Sequence, residues 1–449
     1  MHKPTPRAVK QLGATQLVVR IARIIFVGLL AYAPLHIFIS TVIGANLGGL
    51  NLLKVLKDIV ALFGFCLMLG ISFRQAWFIR WLKQPLVLLI ISYGLLTVLL
   101  ALVRPTDQGA EVLGVTYNLR FLIFFLYGWL LVQWLPAKEL VSTSVKAVLW
   151  SAGIVVAFGL IQYWFLPNDA LTHLGFTKAN GVFPAFFIDD KPGLERVMST
   201  VRDPNSLGSY LIIIATLLAA TLARAKKNQR MFWAGSLTAT GLCLFLTFSR
   251  SALLGLVLSL GALVMLLGKD KIKLSKKNLQ RLVAVGLGVL LIIIGGLYTA
   301  RNTYTVQNVV FHADQSTKQE DPNQLRVRFL KESLQTIADH PFGQGPGTAG
   351  LASIHNKVQG TKLNEDYYLQ IASEVGILGL ILFLTILAVV AKQAYAGLHD
   401  HPLAYVVLAS LAGLLFTNVL VHIWSNEAVA YTWWGLAAIT LTKVKKAQQ

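Results

Sequence analysis

Two arginines beside an expected helix start are the first residues with chemistry to offer. The run Leu194-Glu195-Arg196-Val197-Met198-Ser199-Thr200-Val201-Arg202-Asp203-Pro204-Asn205-Ser206 sets Arg196 and Arg202 next to Asp-Pro-Asn. Proline disfavours helix at Asp203, and Asn205 or Ser206 suits the cap of a helix that follows. That reading explains Asp203, Pro204 and Asn205 and leaves both arginines over. Guanidinium groups beside free helix-start amides make an anion site. Further on, Thr247-Phe248-Ser249-Arg250-Ser251 is a tight turn between two apolar runs. Arg250 there either closes around a diphosphate or anchors the chain at an interface. Arg326 and Arg328 fall on an expected amphipathic helix, Asn323 to Asp339, with Leu325, Phe329, Leu330, Leu334 and Ile337 at helical spacing. Two positions apart, they point to different sides, so only one faces a site. Arg120 reads equally as a snorkelling side chain or as a phosphate contact.

The acids and glycines leave similar choices open. Glu365 and Asp366 precede Tyr367-Tyr368-Leu369, where adjacent acids favour a helix dipole. Glu374 lies just inside the next apolar run and needs a partner. Gly376 and Gly379 would let that helix pack closely on a neighbour. Gly343-x-Gly345-x-Gly347 has no preceding strand, so it is not a dinucleotide fingerprint. It is a plain turn, or else a close approach to sugar or phosphate. Lys54 and Asp58, four apart with Lys57 between them, are expected to pair on one helix face. That pair is either structural or part of a substrate site.

The elements that must hold these residues are apolar. The chain has 449 residues, of which 55% are hydrophobic and 13% charged, against about 25% charged in a soluble domain. Several runs approach the ~20 residues that cross a bilayer as a helix. Twelve spans are expected: 24–43, 55–72, 86–103, 118–135, 147–166, 206–223, 232–248, 251–267, 282–299, 371–391, 403–423 and 429–442. The expected fold is an all-α polytopic membrane protein, one transmembrane domain over 1–449. Two large outer loops, 167–205 and 300–370, would cover the site. The short apolar stretch Gly181 to Phe187 either lies in the interface or packs into its own loop. No A-x-A-like site follows the first run, so it is read as a retained helix.

The net charge of +20 must be located before it is interpreted. With the N-terminus inside, the cytoplasmic segments hold 24 Lys and Arg against three acids, and the outer segments 14 against 15. That is the positive-inside pattern, which sets orientation and argues against a nucleic-acid partner. Basic patches on the inner side would touch anionic membrane lipids. Cys66 and Cys243 sit in apolar spans, and the nine histidines show no ligand spacing. No metal and no cofactor is expected.

The ordered set Arg202 to Gly208, Ser249-Arg250-Ser251, the Arg326 helix leading into His340 to Gly347, and Tyr368-Leu369 followed by Glu374 to Gly379 resembles the O-antigen ligase and polymerase superfamily. The resemblance covers roughly Glu195 to Leu380. It implies a GT-C-like fold and a metal-independent, inverting glycosyltransferase whose donor is a glycan on undecaprenyl diphosphate. Arg202, Arg326, Arg250, Arg196 and Arg120 would hold the diphosphate. Asp203, Asn205, Gly343, Gly345, Tyr368 and Glu374 would shape the substrate loop.

A base near the last large loop would activate the acceptor hydroxyl. Ligases of this family place a His-Asn pair shortly before the Tyr-Leu. Here the aligned residues are Glu365 and Asp366, which makes Glu365 the first candidate base, Asp366 the second and His355 the third. The missing histidine tilts the reading from a ligase, which moves a finished glycan to a lipid or protein acceptor, towards a polymerase of lipid-linked repeat units. A transporter or flippase of an anionic lipid-linked substrate is the alternative from another class, although the charges do not gather at the midplane. The resemblance places the protein in a bacterial plasma (inner) membrane, with both termini cytoplasmic and the site outside. A flippase and a chain-length regulator of the same pathway would be partners.

Overall fold

Helix α8 (Pro204–Arg224) is buried on every side from Leu207 to Ala220. A helix that is apolar all round belongs in the middle of a bundle. Around it pack α9 (Arg230–Phe245), α10 (Arg250–Lys269), α13 (Pro402–Asn418) and α14 (Glu427–Thr440). A second group, α1 (Pro6–Tyr32), α2 (His36–Leu47), α3 (Leu50–Ser72), α5 (Pro85–Val103), α6 (Gln108–Trp134) and α7 (Ala137–Phe165), joins it mainly through α6 and α14. The short α4 (Ala76–Leu82) links α3 to α5. The remaining elements are α11 (Pro322–Asp339) and α12 (Tyr367–Ala396). This computed structural model describes residues 6–188, 195–269, 322–358, 360–362, 364, 366–441 and 443.

The protein is an all-α integral membrane protein. Among the described residues, seven helical segments are long and apolar enough to cross a bilayer: Gly13–Leu47, Pro85–Val103, Gln108–Trp134, Ala137–Phe165, Pro204–Arg224, Arg250–Gly268 and Tyr367–Ala396. Their outward residues are large and apolar, with Ile24, Leu102, Trp150 and Phe165 strongly exposed. Such a surface suits lipid and would not suit water. The expected spans 55–72, 232–248, 403–423 and 429–442 fall on α3, α9, α13 and α14. Of these, α14 has only 14 residues, about 21 Å at 1.5 Å per residue, short of the ~30 Å hydrocarbon layer. The expected span 282–299 lies outside the described residues.

Small residues let the helices close. At the α10–α13 crossing, Gly255 and Gly413 touch backbone to backbone, and a Cβ on Gly255 would lie 2.7 Å from both Ile212 and Thr417. Membrane helices associate by this kind of close packing, since lipid gives them no hydrophobic drive to do so. The stretch Gly181 to Phe187 packs into its own loop. Val182 joins Ile37, Leu171, Phe176 and Met198 in a small separate core, with Phe186 against it. Strand β1 (Phe186–Phe187) then pairs antiparallel with β2 (Glu195–Arg196), Phe186 opposite Arg196.

Candidate functional site

Arg196 is held at the end of β2. Its Nε donates to the Thr247 carbonyl at 3.0 Å, and a terminal nitrogen donates to Asn205 Oδ1 at 2.8 Å. The Val197 amide also bonds the Leu246 carbonyl at 3.0 Å, so the loop before α8 is tied to the α9–α10 turn. That turn bends at Phe248, which takes a left-handed φ of 49°, a costly conformation for a bulky residue. It delivers Arg250 to the first position of α10. Burial pushes Arg196 below its ordinary pKa; Arg326 and Arg250 press the same way and Asp203 opposes them. Arg196 is thus tied to the turn that carries Arg250, and the charge of Arg326, from a third element, acts on Arg196. On α11, Arg328 pairs with Glu332 at 3.7 Å and both are exposed, so Arg326 is the arginine turned inward.

The cap of α8 differs from expectation. Asp203, not Asn205 or Ser206, fills it, accepting the Ser206 amide at 2.9 Å and the Ser206 hydroxyl at 2.6 Å. Asn205 is thereby left to hold Arg196.

Arg202 and Arg120 stand apart from the trio. Arg202 is half-buried near Lys54. Arg120 is only 5% exposed and lies in a closed ion network. It meets Glu427 at 3.2 Å and Asp58 at 3.9 Å, bonds the Ser425 carbonyl, and stacks on Tyr117. Lys57 completes the network, 3.1 Å from Asp58 and 3.3 Å from Glu427, and the Tyr431 hydroxyl donates to Asp58 at 2.6 Å. The expected Lys54–Asp58 pair is not made. Asp58 turns to Lys57, Arg120 and Tyr431, while Lys54 donates to the Asn180 carbonyl at 2.6 Å. Tertiary partners override the four-residue spacing.

The glycine-rich turn is a structural clasp. Helix α12 breaks at Gly376, with φ 81° and ψ 176°, and the chain from Pro341 to Gly345 lies along the break. Gln344 N bonds the Ser373 carbonyl at 2.8 Å, Gly345 N the Glu374 carbonyl at 3.0 Å, and Ile377 N the Pro341 carbonyl at 2.9 Å. A Cβ on Gly343 would sit 2.6 Å from the Glu374 carbonyl, and one on Gly376 would sit 2.6 Å from the Phe342 backbone. Gly376 thus serves this break rather than helix–helix packing. The Glu374 side chain has its partners: the Gly347 amide at 2.9 Å, the Ala349 amide at 3.4 Å and Asn118 Nδ2 at 2.8 Å. Backbone amides in such a turn can hold an anion, and here the anion is the protein's own carboxylate.

Of the candidate bases, Glu365 lies outside the described residues. Asp366 caps α12, its Oδ1 accepting the amides of Tyr368 at 2.7 Å and Leu369 at 3.0 Å. Burial raises its pKa above the ordinary value, and the two amide bonds oppose the rise. His355 is exposed at the end of the 3₁₀ turn Gly350–His355. The Tyr368 hydroxyl ties α12 to α13 through the Leu415 carbonyl at 3.1 Å. A cleft of about 510 Å³ opens between α11 and the chain entering α12, lined by Phe329, Gln335, Thr336, Lys362, Asn364 and Ser373 among others. Phe329 is one turn on from Arg326, and Asn364 is two residues before Asp366. Among the described residues no group of three His, Cys, Asp or Glu is placed to hold a metal ion.

The sequence profile described as O-antigen ligase matches residues 234–384, a stretch that carries Arg250, Arg326, the glycine clasp, Asp366 and Glu374. An O-antigen polymerase of Salmonella muenchen is 23% identical over 344 residues, 74% of this chain and 80% of that protein. Both matches support a place for the chain in the O-antigen ligase and polymerase superfamily. The relative reaches well beyond the matched profile, so this superfamily likeness covers most of the bundle. Sequence reading missed Asn118 and Glu427, whose partners lie 256 and 307 residues away. Each is a polar group in an apolar helix, which is the signal that marks such a residue.

Proposed function

We propose that this protein is a membrane glycosyltransferase that joins undecaprenyl-diphosphate-linked repeat units into a surface polysaccharide. The observation that carries the proposal is the convergence of Arg196, Arg250 and Arg326 from three separate elements. A diphosphate leaving group gains charge as its glycosidic bond breaks, and guanidinium groups already fixed in place stabilise that charge without reorganising. The acceptor hydroxyl attacks the anomeric carbon from the face opposite the diphosphate. The bond to the diphosphate oxygen breaks, the hydroxyl proton passes to a carboxylate, and the configuration inverts. Glu365 and Asp366 supply that carboxylate, with His355 third in order. Arg202 adds a further contact to the donor. In this mechanism no metal is required.

The site faces outward from a bacterial inner membrane, under loops 167–205 and 300–370, with both termini in the cytoplasm and a GT-C-like arrangement of about twelve spans in one domain. A flippase and a chain-length regulator would act beside it. The second reading is a ligase that transfers a finished glycan, favoured by the O-antigen ligase profile over 234–384. Purified protein in liposomes, supplied with undecaprenyl-diphosphate repeat units and no ATP or added metal, should lengthen them into a ladder. Unchanged substrate, together with passage across the bilayer, would point instead to a transporter.

A further inference from the structure

Helix α11 has three faces, and one of them is both apolar and exposed. At about 100° per residue, Phe329, Ser333 and Thr336 fall together; they line the cleft, and Ser333 is buried. Arg328, Lys331, Glu332 and Gln335 make a polar side, where Arg328 meets Glu332 at 3.7 Å. Between the two run Val327, Leu330, Leu334 and Ala338, all exposed, with Leu334 at 52%. The row continues past the end of the helix. Phe342, in the turn after α11, is 76% exposed. It lies against the break in α12, where Ile377 N bonds the Pro341 carbonyl at 2.9 Å and a Cβ on Gly376 would come within 2.6 Å of the Phe342 backbone. Directly beyond the break, Ile377, Leu378, Ile381 and Leu384 are exposed on a helix long and apolar enough to cross the bilayer, so lipid covers them. From Ile377 to Ala396 that helix is about 30 Å long, the thickness of the hydrocarbon layer. The break and Phe342 therefore stand at one edge of the layer, and α11 ends beside them. An apolar row continuous with a lipid-covered face shares its solvent, and a polar side next to such a row is the pattern of a helix lying in the interface.

We propose that α11 is a membrane-surface helix whose partner is the phospholipid leaflet at the edge where α12 breaks. Val327, Leu330, Leu334 and Phe342 enter the acyl region, and Arg328, Lys331 and Glu332 stay among the headgroups. The inference does not use the diphosphate reading and stands without it. Its consequence for the site is positional: a helix seated in this way sets the height of the cleft and of Arg326 above the hydrocarbon layer.

The test needs no substitution. The wild-type, full-length chain is placed in phosphatidylcholine nanodiscs containing a phosphatidylcholine with a diazirine on its acyl chain, illuminated and mapped by peptide mass. Label is expected on the α11 stripe and on Phe342 as well as on Ile377 to Leu384. Label on α12 with none on α11 or Phe342 would overturn the proposal. A second measurement reads orientation, with nitroxides on Leu334→Cys and Glu332→Cys in a Cys66→Ser, Cys243→Ala background. The ratio of oxygen to nickel-chelate accessibility should exceed unity at Leu334 and fall below it at Glu332. A ratio below unity at both would place the stripe in water, and shielding of Leu334 from both relaxants would place it against protein, a second copy or another segment of the chain. Either result would overturn the lipid assignment.

Discussion

The Glu374 carboxylate accepts the backbone amide of Gly347 at 2.9 Å, so the glycine-rich turn closes on a residue of its own chain. Together with Ala349 N, this bond fastens the loop after α11 to the broken start of α12, and Asn118 Nδ2 ties the same carboxylate to α6. Removing the carboxylate leaves buried donors without an acceptor, each costing roughly 1–3 kcal/mol. Glu374→Ala should lower Tm clearly, and Glu374→Gln, which keeps one acceptor oxygen, should lower it less. Thermal unfolding in detergent reads both. An unchanged Tm in Glu374→Ala would show that the clasp holds without it.

Gly376 carries a second expectation. Its φ of 81° disfavours any L side chain, and a Cβ would press on the Phe342 backbone. Gly376→Ala should therefore destabilise by more than the ~1 kcal/mol that a glycine-to-alanine change gains at a compatible site. It should also loosen the α11–α12 connection, which limited proteolysis between residues 340 and 366 would detect. Resistance equal to wild type would contradict the clasp.

The network of Arg120, Lys57, Asp58 and Glu427 is expected to act on folding. Breaking one member of a buried ion group costs about 3–5 kcal/mol, because the remaining charges stay buried. Arg120→Ala should cut the yield of folded protein, while the fraction that folds keeps its affinity for undecaprenyl diphosphate. Normal yield with lost affinity would return Arg120 to the donor site.

Much of this was legible in the sequence, for physical reasons that differ from residue to residue. The spans at 86–103 and 206–223 follow from length and apolarity alone, and they lie on α5 and α8. Helical geometry also separated Arg326 from Arg328, since two residues on one helix, two positions apart, cannot face one way. What stayed hidden was tertiary. Spacing offered Lys54 to Asp58, but Asp58 is engaged by Tyr431, 373 residues away. The break at Gly376 depends on a loop that arrives from Pro341. Helical spacing puts Leu330 and Leu334 on the expected inner face of α11, yet both are exposed and the buried residue between them is Ser333. An apolar stripe beside a membrane need not turn toward protein.

The pH profile should carry the mark of Asp366. Burial raises its pKa, and a general base must be ionised to work. If Asp366 is the base, kcat/KM falls as pH drops through that raised value, so the acid limb lies higher than an ordinary aspartate would set it. Asp366→Asn would then remove both the limb and the turnover, and Glu365→Gln would leave the limb in place. The reverse pattern would give the role to Glu365, and loss in His355→Ala alone would give it to the histidine.

The most direct measurement is polymerisation by Arg250→Ala and Arg326→Ala in liposomes supplied with undecaprenyl-diphosphate repeat units, with Tm followed in parallel. Loss of one preorganised group that meets developing charge typically costs 10²–10³ in rate. Each variant should therefore lose at least about a hundredfold in turnover while keeping a wild-type Tm. Full turnover in both variants, with the fold intact, would contradict the assignment of the arginine trio to the diphosphate.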